Sequence, residues 1–140
     1  MGCFNSKVLS PDGFYWYGPT DFEYNTKKAL FEKSNGLLFR LVNDERKQWA
    51  FYNDTKEYDF IVTTTFGPES SNLIALGKTS LMLNHDGTYT STNVIHPGYT
   101  EPYIQGDISG FDTTVEAVFL DNKTSHRVRY VPTDVVSPRD

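Results

Sequence analysis

Apolar and polar residues alternate with a period of two along most of this chain, and turn-forming residues interrupt the alternation every eight to twelve positions. In residues 58–66 the side chains of Tyr58, Phe60, Val62 and Phe66 fall on one face and those of Asp59, Thr63 and Thr65 on the other, the pattern of a half-buried strand. Residues 37–43 place Leu37, Phe39 and Leu41 on one face and Leu38, Arg40 and Val42 on the other, with the arginine marking the second face as the wet one. A strand over 30–33 precedes it. The intervening Ser34-Asn35-Gly36-Leu37 predicts a tight hairpin, because Asn-Gly accepts the two positive φ angles of a type I′ turn. Further strands are expected over 49–52, 79–84, 88–95, 103–108 and 113–120, with His85-Asp86-Gly87 as a second hairpin turn and 127–131 as an edge strand. Residues 73–76 are too short to assign, and Gly67-Pro68, Pro97-Gly98 and Pro102 mark irregular stretches. No segment of ten or more residues carries a helical stripe. The expectation is an all-β fold: one antiparallel β-sandwich or closed barrel of about eight strands over 13–131, behind a flexible tether at 1–12 and before a tail at 132–140.

Composition sharpens this picture. A chain of 140 residues suits one domain. With 10 Phe, 9 Tyr and 2 Trp, rings rather than aliphatic volume must supply much of the burial. The formal charge of −5 argues against nucleic acid as a partner and against broad attraction to anionic lipid. No apolar run approaches the ~18 residues that span a bilayer, and no secretory signal opens the chain, so a cytosolic compartment is expected. A single cysteine leaves no internal disulfide. Asn53-Asp54-Thr55 and Asn122-Lys123-Thr124 match the glycosylation pattern and read as loop residues.

The opening residues carry the strongest signal. Met1-Gly2-Cys3-Phe4-Asn5-Ser6-Lys7 fits the pattern for N-myristoylation: Gly2 offers the acceptor amine once Met1 is removed, Ser6 and Lys7 suit acyltransferase recognition, and Cys3 is placed to accept palmitate. One myristoyl chain binds a membrane only marginally, with an association constant of about 10⁴ M⁻¹, so a second anchor is needed. Residues 1–26 contain Lys7 as their only basic side chain, which leaves Cys3 as that second anchor.

Catalytic chemistry finds little support. The sole thiol lies on the tether, where it cannot be held against a base, and no G-x-S-x-G elbow accompanies His85, His96 or His126. Those histidines lack zinc-ligand spacing. The segment from Asp107 to Asp112, with Gly106 and Gly110, misses the EF-hand pattern and reads as a plain turn, and no phosphate-cradling loop is present. The chain is therefore expected not to be an enzyme, with no metal and no cofactor.

Three stretches, 35–43 (NGLLFRLVN), 49–55 (WAFYNDT) and 66–70 (FGPES), resemble the kinetoplastid calpain-related domain. With Met1-Gly2-Cys3 in front, the chain is similar to the small myristoylated, or small kinetoplastid calpain-related, proteins over roughly residues 1–120. The resemblance implies a single antiparallel β domain, acyl chains on the matching Gly2 and Cys3, attachment to the inner face of the plasma or flagellar membrane, and no enzymatic activity. Nothing carries over to the extension after about residue 121.

These readings converge on a membrane-tethered β adaptor with unidentified protein or lipid partners. Phe14-Tyr15-Trp16-Tyr17 beside the tether is a candidate contact patch, with Tyr15, Trp16 and Tyr17 as its members, because four adjacent rings cannot all point inward from one strand. The alternative is that two of the rings enter the core and two cover an edge. Two other functions stay open: a β module that encloses a lipid or acyl chain, and a regulator of calpain-like proteases, the latter by shared ancestry alone.

Overall fold

The computed structural model describes residues 8–10, 13–31, 37–120, 125–130 and 135–136, with side chains described for 15–31 and 37–120. All regular structure among the described residues is strand. In chain order these are β1 (Val8–Ser10), β2 (Gly13–Tyr15), β3 (Thr26–Ala29), β4 (Leu38–Asn43), β5 (Gln48–Asn53), β6 (Tyr58–Phe66), β7 (Ser71–Ala75), β8 (Ser80–Leu83), β9 (Tyr89–Ile95), β10 (Thr100–Asp107), β11 (Phe111–Leu120), β12 (Ser125–Tyr130) and β13 (Val135–Val136). One sheet has the order β3-β4-β5-β10-β7; the other has the order β12-β11-β6-β9-β8, with β13 also on β11. β1 and β2 pair only with each other among the described residues. Neither sheet closes on itself, so the architecture is the antiparallel sandwich and not the barrel.

The inward faces meet in an aromatic core. Trp49 and Phe51 from β5 and Tyr103 and Ile104 from β10 pack against Phe60, Val62 and Phe66 from β6, Ile95 from β9 and Val115 from β11. Trp49 sits edge-on to Phe66 at 5.6 Å and to Phe111 at 4.9 Å, and Phe51 edge-on to Tyr103 at 4.8 Å. Such contacts add about 0.5–1.5 kcal/mol each beyond area burial. β6 follows its alternation: Phe60, Val62, Thr64 and Phe66 are buried and the residues between them are half-exposed. The polar groups drawn into this layer are paired. Tyr103 Oη donates to Ser91 O at 3.0 Å and accepts from Ser91 Oγ at 2.7 Å.

Both faces of β4 are covered, which corrects the expectation of one wet face. Leu38 and Val42 join the inter-sheet core, while Phe39 and Leu41 form a second cluster with Tyr15, Ala50 and Tyr52 on the outer side of the five-stranded sheet. The segment after β2, through Phe22 and Tyr24, lies over that cluster. Arg40 is tolerated on the core side because its guanidinium stacks on Trp49 at 4.7 Å and Phe111 at 4.8 Å.

Two other differences have local causes. The strand expected over 30–33 is β3, which ends at Ala29, and Leu30 N–H donates to Leu38 O at 2.8 Å. That register makes the connection longer than a two-residue Asn35-Gly36 turn; residues 32–36 themselves lie outside the described residues. Pro102 lies inside β10, at a register shift between Pro102 and Ile104, where a missing amide is tolerated. The stretches expected as tether and tail hold short strands, β1 at 8–10 and β13 at 135–136.

Candidate functional site

β5 runs out of the core into Asn53-Asp54-Thr55, and all three residues are buried. Asn53 Nδ2 donates to Tyr58 O at 2.7 Å and Ile95 O at 2.8 Å, both on the opposite sheet, while its Oδ1 accepts Thr55 N–H at 3.0 Å and Thr55 Oγ1 at 2.7 Å. The Asn53 backbone exchanges hydrogen bonds with the turn between β9 and β10, accepting from Gly98 and donating to Tyr99 O. Expected as loop residues, Asp54 and Thr55 do lie beyond the end of β5, but the triad is buried and staples the two sheets. Residues 122–124 lie outside the described residues.

Asp54 of that staple and its neighbour Tyr52 hold the segment leading from the N-terminus. Tyr52 Oη donates to Asp54 Oδ1 at 2.6 Å and accepts the amides of Gly18 at 2.7 Å and Tyr17 at 3.3 Å. Asp54 Oδ1 also accepts Trp16 N–H at 2.8 Å, and Thr20 N–H reaches Thr100 Oγ1 at 2.9 Å. Burial, then the hydrogen bond to Asp54, pushes the Tyr52 phenol well above its ordinary value. Residues 16–18 are thus pinned by three successive amides on a buried acceptor pair, and Thr20 by Thr100.

The pinning sorts the candidate ring patch. Tyr15 is interior, edge-on to Phe39 at 5.4 Å and to Tyr52 at 5.5 Å, with Lys27 Nζ donating to its hydroxyl. It cannot touch a partner. Trp16 is half-buried, with Lys56 Nζ 4.5 Å from its ring. Tyr17 is 62% exposed and lies on Gly98, where a Cβ would come within 3.1 Å of its ring. Tyr99 is 57% exposed beside it in sequence and edge-on to His96 at 5.8 Å. His96 Nδ1 in turn meets Asp59 Oδ1 at 2.7 Å. Of the candidate rings, Tyr15 is thus interior, Trp16 half-buried and Tyr17 exposed, and the Phe14 side chain lies outside the described residues. Sequence reasoning does not single out Tyr99, although it marks Gly98 beside it. Gly2, Cys3, Ser6 and Lys7 lie outside the described residues.

The other candidate chemistry is dispersed. Among the described residues no three His, Cys, Asp or Glu side chains gather as a metal site. Asp107 is engaged by Lys47 at 2.5 Å and Asn72 at 3.1 Å, and Lys47 holds its carboxyl below the usual range.

Residues 15–120 match the family described as "Domain of unknown function (DUF1935)". The chain belongs to this family. No curated protein matches it. Among solved structures it is similar to the NMR structure of SMP-1 (Small Myristoylated Protein) from Leishmania major, with 37% identity, 88% of this chain and 92% of that one covered, and a TM-score of 0.72. It is also similar to a Leishmania major hypothetical protein, with 27% identity, 76% and 92% coverage and a TM-score of 0.67. The matched family segment begins at Tyr15, whose side chain packs in the outer cluster.

Proposed function

We propose that this chain is a non-enzymatic, doubly acylated peripheral membrane protein, carried on the cytosolic face of the plasma membrane and its flagellar extension, where its β domain serves as a structural or adaptor module. The observation that carries the reading is the combination of Gly2-Cys3 with 37% identity, over most of the chain, to a protein named for its myristoylation. Gly2 bears the myristoyl amide and Cys3 the palmitoyl thioester, and two chains supply the affinity that a net charge of −5 does not.

The pinned segment gives this anchor a mechanical consequence. Because Trp16, Tyr17 and Gly18 are bonded to the Tyr52–Asp54 pair, the domain does not swing freely on residues 16–20. Tyr17 and Tyr99, exposed beside the anchored segment, are suited to the bilayer interface, where an aromatic body and a polar tip are both satisfied. Intact mass spectrometry of the protein from its native cell, with and without hydroxylamine, tests the reading. A myristoyl mass that survives hydroxylamine and a second acyl mass that is lost are expected; an unmodified N-terminus contradicts it.

A further inference from the structure

The outer face of the five-stranded sheet changes character along β5. At one end Ala50 and Tyr52 join the apolar outer cluster, and Phe22 and Tyr24 roof it. At the other end the outward positions are polar: Asn43 on β4 stands opposite Gln48 on β5, and Asn43 Nδ2 ties the roof down by donating to Glu23 O at 3.1 Å. Beside that tie a cavity of about 680 Å³ opens, with Phe22 on one side, Leu76 and Gly77 on the other, and Gln48 and Pro102 between them. A second cavity, of about 620 Å³, continues it past the same Phe22, Glu23 and Asn43 to Asn25 and Glu45. Each has the size of a small-ligand site, ~300–1,000 Å³, and together they make an elongated groove.

The groove is apolar at one end and acidic at the other. Phe22, Leu76 and Pro102 supply the apolar end. The charged residues that line it are three carboxylates, Asp21, Glu23 and Glu45, and one cation, Arg46, all of them exposed. Among the described residues only Glu23 of the three carboxylates has an ion pair, with Arg46 at 3.8 Å, and the two side chains are 81% and 64% exposed. A pair so long and so wet holds Arg46 in place weakly. A ligand that brings cations to this end meets two carboxylates without a protein counter-ion and can displace Arg46 from the third.

We propose that this groove is the docking site of the adaptor module, a reading on which the inference rests, and that its occupant is an extended basic segment of a partner protein led by an apolar residue. The apolar residue sits between Phe22 and Leu76, and the cations that follow meet Glu23 and Glu45. Length favours an extended peptide over a compact ligand, and the excess of carboxylates favours a basic one. Position suits the role as well. Gln48 lies in the groove, whereas Asn53, at the other end of β5, bonds to Gly98 and Tyr99 beside the exposed rings. The groove is therefore set back by the length of β5, roughly 17 Å, from the rings suited to the bilayer, and stays open to a cytosolic partner while the chain is anchored.

The test uses the full-length, non-acylated chain with Cys3→Ser in solution, so that its failure leaves the anchoring reading untouched. A blocked tetrapeptide of one leucine followed by three arginines is titrated in and followed by residue-resolved NMR. Saturable shifts are expected at Gln48, Leu76 and Gly77, and none at Tyr99. Glu23→Lys with Glu45→Lys should weaken binding about tenfold, Arg46→Gln should tighten it about threefold, and serine in place of the peptide's leucine should weaken it about tenfold. The three substituted residues are exposed, so the melting temperatures of the variants should match the parent's. Three results would overturn the proposal. One is the absence of shifts in the groove at millimolar peptide, as when a segment of the chain itself fills it. Another is equal binding to the Glu23→Lys, Glu45→Lys chain. The last is indifference to the leucine, which leaves only the attraction of cations to an acidic chain.

Discussion

The Tyr52 hydroxyl donates to Asp54 Oδ1 across 2.6 Å while accepting the Gly18 amide at 2.7 Å, so a buried side-chain pair at the end of β5 is the attachment point of segment 16–18. Tyr52→Phe keeps the ring in the outer cluster and removes that acceptor. Stability should fall by about 1–3 kcal/mol, the cost of leaving buried groups without partners. Hydrogen exchange at Trp16, Tyr17 and Gly18 should rise more than at Ile104 in the main core. Urea denaturation and residue-resolved exchange check both.

Asn53 is the second point of stress. Its amide nitrogen satisfies two carbonyls of the opposite sheet, and its oxygen fixes Thr55. Asn53→Ala leaves the carbonyls of Tyr58 and Ile95 without that donor and is expected to cost about 3–4 kcal/mol, near the upper end for a single substitution. Thr55→Val, which removes one hydroxyl, should cost about 1–2 kcal/mol. Equal effects from the two, measured by denaturant midpoint, contradict the staple.

The ring segment separates stability from membrane affinity. Tyr15→Ala empties a buried site and should cost about 3–5 kcal/mol. Tyr17→Ser with Tyr99→Ser changes only exposed rings and should shift stability by about 0.5 kcal/mol or less, yet weaken binding of the acylated protein to vesicles several-fold. Thermal melts and vesicle sedimentation distinguish these outcomes.

Much of the fold is legible in the sequence because the sandwich obeys period two. The alternation marks β6 residue for residue, and it places the two strands of the second hairpin and β11 to within two positions at each end. The faces of β4 escape it because alternation reports a polar side chain, not what covers it: Arg40 is polar but lies on rings, and the outer face is roofed by a segment with no strand pattern of its own. Asn53-Asp54-Thr55 reads as the start of a loop, which holds for Asp54 and Thr55, but its burial escapes the pattern for the same reason. Polar residues after an apolar strand usually meet water, and here they meet the carbonyls of another sheet. Tyr99 enters the candidate site only through the packing of Tyr17 on Gly98, a contact between residues far apart in the chain.

Alkali should unfold the domain through its buried phenols. Burial raises Tyr103 from 10.0 to about 12, and Tyr52 is raised as well, so the folded state keeps both protons where the unfolded chain has released them. These groups leave stability unchanged below about pH 10 and erode it from there towards pH 12, each by up to about 1.4 kcal/mol for every step of one in pH. Tyr103→Phe should flatten that decline relative to the parent, read as melting temperature between pH 8 and 12. A profile with the same slope contradicts the assignment.

Membrane attachment through the N-terminal glycine is the claim on which the functional account stands. Gly2→Ala removes the proposed myristoyl acceptor while leaving every described residue unchanged. Fractionation of cells expressing either form is the direct measurement. The account predicts that the parent chain sediments with membranes and the Gly2→Ala chain moves to the supernatant; a Gly2→Ala chain that stays in the membrane pellet contradicts it.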